Sequence, residues 1–284
     1  MELEQSLRAQ LAEQGWCVIS DVIGRDVADD AVARLWATVE RNAEEGYSCH
    51  LPEIDPNANN VRILNPLSAD PLFRALMEHP TALAAAGAVV EHPLILANCT
   101  ANISRPGARS MALHSDLAFI LPEPWLHSWS VNIIWCLTDA RPDNGATLYI
   151  PGSHRWRTHA DVPANAKERL VAFAAPAGSI VVMDGRLWHT SGANITADED
   201  RALLFGYYSA AFLRPMINWN AVLDADTQRQ LSPRLRGLLG LDVFANTAED
   251  DNRGQGHWKG FPVGREQALA DLRRVHDRDR VVAE

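Results

Sequence analysis

Residues 178–209 read GSIVVMDGRLWHTSGANITADEDRALLFGYYS. Two apolar runs rich in Val, Ile, Leu and Tyr are joined by a loop of Gly, Asn, Thr and Asp, with no helical period between them. The same grammar extends backwards to Pro93 through LILANCTANIS (94–104), MALHSDLAFI (111–120), WSVNIIWCLTDA (129–140), ATLYIPGSH (146–154) and RLVAFAA (169–175). About seven short strands separated by loops predict an antiparallel sandwich or barrel rather than a parallel α/β sheet. Two sheets curled face to face form a double-stranded β-helix, or jelly roll, here with its β core at about 93–211.

The flanks read differently. LEQSLRAQLAEQ (3–14) is helical, GWCVIS (15–20) is a short strand, and a second helix follows with Val32, Leu35, Trp36 and Val39 on one stripe. Residues 46–66 are rich in Pro and Asn without period and read as a long surface loop, and short helices are expected around 70–90. Residues 1–92 thus form a helical support, and 212–284 a helical and irregular segment in which RGQGHWKG (253–260) has the glycines of a lid. The expectation is one domain, mainly β with flanking helices, over 1–284.

Composition limits the partners. The 284 residues carry 26 Lys and Arg against 36 Asp and Glu, a net charge of −10, and no basic run to track a phosphate backbone, so nucleic acid is not expected. The N-terminus is acidic and amphipathic, and no segment approaches the roughly 20 apolar residues of a membrane span. No membrane partner is expected, and the location reads as cytoplasmic, as a monomer or homodimer. The four cysteines are scattered without a C-x-x-C pair and read as reduced, mostly buried thiols.

His114 and Asp116 stand two apart in an apolar run, where a strand would point both side chains one way. An H-x-D pair alone is weak; a surface ion pair is as good a reading. A third candidate ligand, His189, follows the strand at 178–185, and in a jelly roll the two places meet at the barrel mouth. Two imidazoles and a carboxylate on one face of a metal suit octahedral Fe(II) with open positions, whereas zinc is more often held by a closed set of Cys and His. Arg201 leads into an apolar strand whose alternation puts Arg201, Leu203, Phe205 and Tyr207 on one face. Pointing inward it needs an anion, and its fork suits a carboxylate; a snorkelling surface arginine is the plainer alternative.

LHSD (113–116), NIIWCLTDARPDNGATLYIPGSHRW (132–156) and GSIVVMDGRLWHTSGANITADEDR (178–201) together resemble the phytanoyl-CoA dioxygenase family of Fe(II)/2-oxoglutarate oxygenases in content, order and spacing. The likeness runs from about Asn98 to Tyr208 and is strongest in DNGATLYIPGSH. It implies that His114, Asp116 and His189 are the catalytic iron ligands and that Arg201 grips the distal carboxylate of 2-oxoglutarate. Thr147 and Asn102 are implied in the cosubstrate pocket, and Asn98 in facing substrate. The implied reaction consumes O2 and 2-oxoglutarate, releases succinate and CO2, and is sustained by ascorbate in vitro. Related halogenases carry a small residue where Asp116 stands, so the aspartate argues for oxygenation.

The implied substrate is a small organic molecule such as a natural-product intermediate, hydroxylated at an aliphatic carbon; desaturation, cyclisation and epimerisation use the same cofactors. Phe119, Trp125 and Trp129 follow the metal-binding run and are expected to wall the pocket. His50 and His127 read as rim residues, and His154 as closing its turn. A non-catalytic jelly-roll binding protein and a cupin-type isomerase holding another metal are the rival readings. Four intact site residues disfavour the first, and Arg201 with the NGAT block disfavours the second.

Overall fold

The computed structural model describes residues 4–119 and 121–242, together with the two-residue strands at 247–248 and 257–258. The chain divides into Met1–Leu239 and Gly240–Glu284. In the first unit, strands β1 (Trp16–Ile19), β2 (Asn60–Leu64), β3 (Leu94–Ser104), β4 (Ser130–Cys136), β5 (Thr147–Tyr149), β6 (Val171–Ala172), β7 (Ile180–Asp184), β8 (His189–Ser191) and β9 (Arg201–Ala210) form two sheets. The larger has the order β1-β7-β4-β9-β3-β2 and the smaller β6-β5-β8, every pairing antiparallel. This is the double-stranded β-helix expected. In the second unit β10 (Thr247–Ala248) pairs antiparallel with β11 (His257–Trp258). The expected lid at 253–260 otherwise lies outside the described residues, as does the end of the chain.

The large sheet is covered on both faces, which is why β4 and β9 are apolar almost throughout. Ile134, Cys136, Val181, Met183 and Leu203 turn inward and pack with Tyr149 and Phe173 of the small sheet. Trp16 joins these aromatics at centroid distances of 4.6 and 4.8 Å. The outer face meets helix α5 (Pro80–Val90), preceded by α1 (Gln5–Gln14), α2 (Arg25–Glu44), α3 (Pro66–Ala69) and α4 (Pro71–Met77). Helix α5 approaches closely because its buried face is built of Ala82, Ala85 and Ala86. Pro80 fixes its first turn, the His79 ring accepts from the Thr81 amide, and Glu91 ends it in the left-handed region at φ 55°. Three short helices, α6 (Trp219–Val222), α7 (Ala225–Gln230) and α8 (Pro233–Leu238), close the unit.

Three expectations are corrected. The run expected as a strand at 111–120 is none among its described residues, 111–119: the pairing there is one bridge, His114 to His189, before a 3-10 turn at Leu117–Phe119. The loop at 46–66 ends in an edge strand, β2, whose Arg62 is neutralised by Asp55. The buried line of α2 is Ala28, Ala31, Leu35 and Thr38, with Val32, Trp36 and Val39 half-buried beside it, because small residues let the helix settle nearer its neighbours.

Replacing the fully buried Leu35 by Ala should therefore cost about 2–5 kcal/mol, and Val32→Ala distinctly less. Denaturation midpoints check the order, and equal losses would put Val32 in the core.

Candidate metal centre

The backbone of His114 exchanges both hydrogen bonds with that of His189, at 3.0 and 2.8 Å, which sets the two imidazoles side by side with centroids 4.4 Å apart. Each ring is then turned the same way. The Nδ1–H of His114 donates to the Ala112 carbonyl at 2.8 Å, and that of His189 to the Leu187 carbonyl at 2.9 Å. This tautomer leaves both Nε2 lone pairs free.

Asp116 reaches the same point from a turn. Ser115 is buried, and its hydroxyl and the Leu117 amide both donate to the Gly185 carbonyl, at 3.0 and 2.8 Å. That anchor swings the carboxylate to 3.7 Å from the Nε2 atom of each histidine. One ligand atom from each of His114, Asp116 and His189 lies within 4.8 Å of the others. Asn132 donates to the second Asp116 oxygen at 3.1 Å, leaving the first for the shared point. Burial, then the neighbouring His114, pushes the His189 pKa down against the pull of Asp116, which favours the neutral imidazole that a metal requires. Two imidazoles and a carboxylate meeting at one point are a donor set suited to Fe(II).

Arg201 is 1% exposed at the start of β9, and among the described residues no carboxylate lies within ion-pair distance of it. Its Nε donates to the Gly145 carbonyl at 3.0 Å, and its Nη1 to the Asn102 backbone and side-chain oxygens at 3.3 and 3.2 Å. Burial lowers its pKa to about 10, Cys136 opposes this and Arg62 adds to it, so it stays cationic at neutral pH. The DNGAT turn is what holds it: Gly145 adopts φ +86°, and a Cβ there would lie 2.5 Å from Ser104 Oγ.

Arg201 and the three clustered residues line one cavity of about 650 Å³, shared with Asn98, Asn102, Thr147 and Phe119. Phe119 lies at the mouth, 77% exposed, its ring 5.9 Å from that of His114. Trp125 and Trp129 do not line it. Trp125 is buried in a separate cluster with Leu117, Ile150 and Trp188, its indole donating to the Leu121 carbonyl, and Trp129 stacks on His127 and meets Phe212 edge-on. Closeness in sequence to the histidine does not aim these rings inward. His50 and His127 also lie off the cavity, and His154 reaches past its turn to the Ala12 carbonyl at 3.2 Å.

Residues that the sequence reading did not single out complete the lining. Asn132 is an amide inside an otherwise apolar strand, which is a signal in itself, and Tyr207 sits on the expected face of β9. Arg62 pairs with fully buried Asp55 at 2.6 Å and also donates to Met111 Sδ, tying the loop of Glu53 and Ile54 to the cavity wall.

Residues 11–202 match the phytanoyl-CoA dioxygenase (PhyH) family. Dioxygenase af480 of Aspergillus fumigatus is 49% identical over 247 residues, 87% of this chain and 80% of that protein. The chain belongs to the phytanoyl-CoA dioxygenase family. It is accordingly an Fe(II)/2-oxoglutarate-dependent dioxygenase. Solved structures share the fold. HygX of Streptomyces hygroscopicus, with nickel and 2-oxoglutarate bound, has a TM-score of 0.61 at 18% identity, over 76% of this chain and 90% of its own. The carbocyclase SnoK of nogalamycin biosynthesis has a TM-score of 0.60 at 23% identity, over 81% and 92%. Among the described residues, no helix is long and apolar enough to cross a membrane.

In this family member the Asp55–Arg62 pair is buried, so Asp55→Ala, which strands the arginine, should cost about 3–5 kcal/mol. A loss below about 1 kcal/mol in urea unfolding, the range of exposed pairs, would contradict its burial.

Proposed function

We propose that His114, Asp116 and His189 hold the iron, that Arg201 anchors the distal carboxylate of 2-oxoglutarate, and that the enzyme hydroxylates an aliphatic carbon of a small apolar or amphipathic molecule, such as a natural-product intermediate. The observation that carries this reading is a buried cation without a counter-charge facing the same cavity as three converging metal donors. An uncompensated buried arginine is costly, and a bound dicarboxylate supplies what it lacks.

Iron with 2-oxoglutarate and oxygen supplies the oxidising power, leaving succinate and CO2. The chain's residues do the rest. Asn102 and Gly145 fix the arginine fork, Thr147 and Ser191 line the space beside it, and Asn132 holds Asp116 in one orientation. At the opening, Ile54, Leu64, Phe119 and Met216 present exposed apolar side chains, a rim suited to a substrate of mostly hydrocarbon surface. A carboxylate at position 116 fills the place that a halide would need, which favours oxygen transfer.

Alanine at His114, Asp116 or His189 should each remove most iron affinity with an unchanged circular dichroism spectrum; full iron stoichiometry in all three would refute the ligand set. Arg201→Ala should raise the 2-oxoglutarate dissociation constant tenfold or more, as loss of a charge-assisted pair worth about 1.5–3 kcal/mol requires. Arg201→Lys, which keeps the charge and loses the fork, should fall between. Unchanged cosubstrate affinity by calorimetry in both variants would remove Arg201 from the role. Under labelled oxygen, one labelled atom in the product marks hydroxylation, whereas succinate with an unoxygenated product would overturn it.

A further inference from the structure

Asn98, Tyr207 and Asn132 lie on three adjacent strands, β3, β9 and β4, and Tyr207 is the direct partner of both asparagines. Directly opposed residues carry their Cβ atoms about 4.5–5.5 Å apart. All three line the cavity, so they form one polar row across its floor. Each has a buried polar atom without a hydrogen-bond partner: Asn98 Oδ1, Asn132 Oδ1 and the Tyr207 hydroxyl. Tyr207 and Asn132 are 5% and 8% exposed. A single orphan of this kind is costly in a folded protein, and three in register call for a ligand.

The row belongs to the substrate rather than to 2-oxoglutarate. Tyr207 is six residues beyond Arg201, about 20 Å along a strand. A five-carbon dicarboxylate, with four C–C bonds of about 1.5 Å, spans less than half of that. Asn132 meanwhile holds Asp116, so the row adjoins the metal donors. A register shift between Leu96 and Asn98 aims Asn98 into the row. The Ala97 carbonyl within it accepts from the Met216 and Ile217 amides, which keeps Met216 at the cavity wall.

We propose that Asn98, Tyr207 and Asn132 form a hydroxyl-recognition site, and that the substrate is a largely apolar alcohol; this rests on the oxygenase reading above. The donor and acceptor inventory selects the group. The Asn132 amide is fixed by its donation to Asp116, so its Oδ1 can only accept. The Ser130 hydroxyl beside Tyr207 is also without a partner of regular geometry, and if the two hydroxyls pair, one donor is still left over. A ligand hydroxyl donates to an amide oxygen and accepts that proton. A ketone or ether can only accept, a hydrocarbon does neither, and a carboxylate would meet the charge of Asp116.

The test uses cyclodecanol, cyclodecanone and cyclodecane as probes of one carbon count, with anaerobic protein carrying Fe(II) and 2-oxoglutarate and again with metal-free protein. Dissociation constants are read by ligand-observed NMR. Cyclodecanol should bind about tenfold more tightly than the other two. Tyr207→Phe should remove most of that preference and leave cyclodecane, iron and 2-oxoglutarate affinities unchanged. Asn98→Ala should weaken the preference in the same direction. Equal binding of alcohol and hydrocarbon by the wild type, binding of no probe, or an intact preference in Tyr207→Phe overturns the proposal. Failure of iron or 2-oxoglutarate to bind the wild type would instead refute the oxygenase reading, and the metal-free arm still reports on the row.

Discussion

The pair of backbone hydrogen bonds between His114 and His189 is the constraint on which the site depends. A segment with no strand of its own is pinned to β8 at a single residue pair, and those residues are the two histidines. The pairing fixes the separation of the rings, and each ring then donates to a carbonyl two residues earlier in its own chain, which fixes its rotation. Only the carboxylate remains to be brought in. It arrives because the Gly185 carbonyl takes both the Ser115 hydroxyl and the Leu117 amide, bending the chain so that Asp116 faces the rings. The metal donors are therefore preorganised by main-chain geometry rather than by packing alone.

The large sheet supplies the second fixed point. β9 is central, flanked by β3 and β4 and backed by α5, so Arg201 at its start and Tyr207 near its end are held on one rigid ruler. The strand's alternation turns Arg201, Phe205 and Tyr207 toward the cavity, while Tyr208 faces outward and donates to the Met77 carbonyl. Arg201, the three clustered donors and the row of Asn98, Tyr207 and Asn132 thus share one cavity. Burial of an arginine and of three unpaired polar atoms there opposes stability, the pattern expected where binding rather than folding dictates the residues.

Much of this was legible in the sequence, and the rest was hidden for physical reasons. The run at 201–209 states its own inward face by alternation, and H-x-D, His189 and the DNGAT turn declare themselves by spacing and resemblance. The strand expected around His114 fails because an apolar run looks the same whether it pairs along its length or at one residue. β2 reads as loop because Pro and Asn precede it and its pairing partner is some forty residues on. Closeness in sequence points Trp125 and Trp129 at the pocket, yet Trp125 packs in a separate apolar cluster and Trp129 against His127 and Phe212. The row of Asn98, Tyr207 and Asn132 could not be read at all, since strand register is what sets the three side by side.

In the proposed site one iron and one 2-oxoglutarate share this cavity, held by groups that the fold has already set in position. Anaerobic titration of 2-oxoglutarate into the Fe(II)-loaded protein, followed by visible absorption, tests it most directly. The expected result is a metal-to-ligand charge-transfer band that saturates at one cosubstrate and one iron per chain. Iron that binds without producing any such band at saturating 2-oxoglutarate would contradict it.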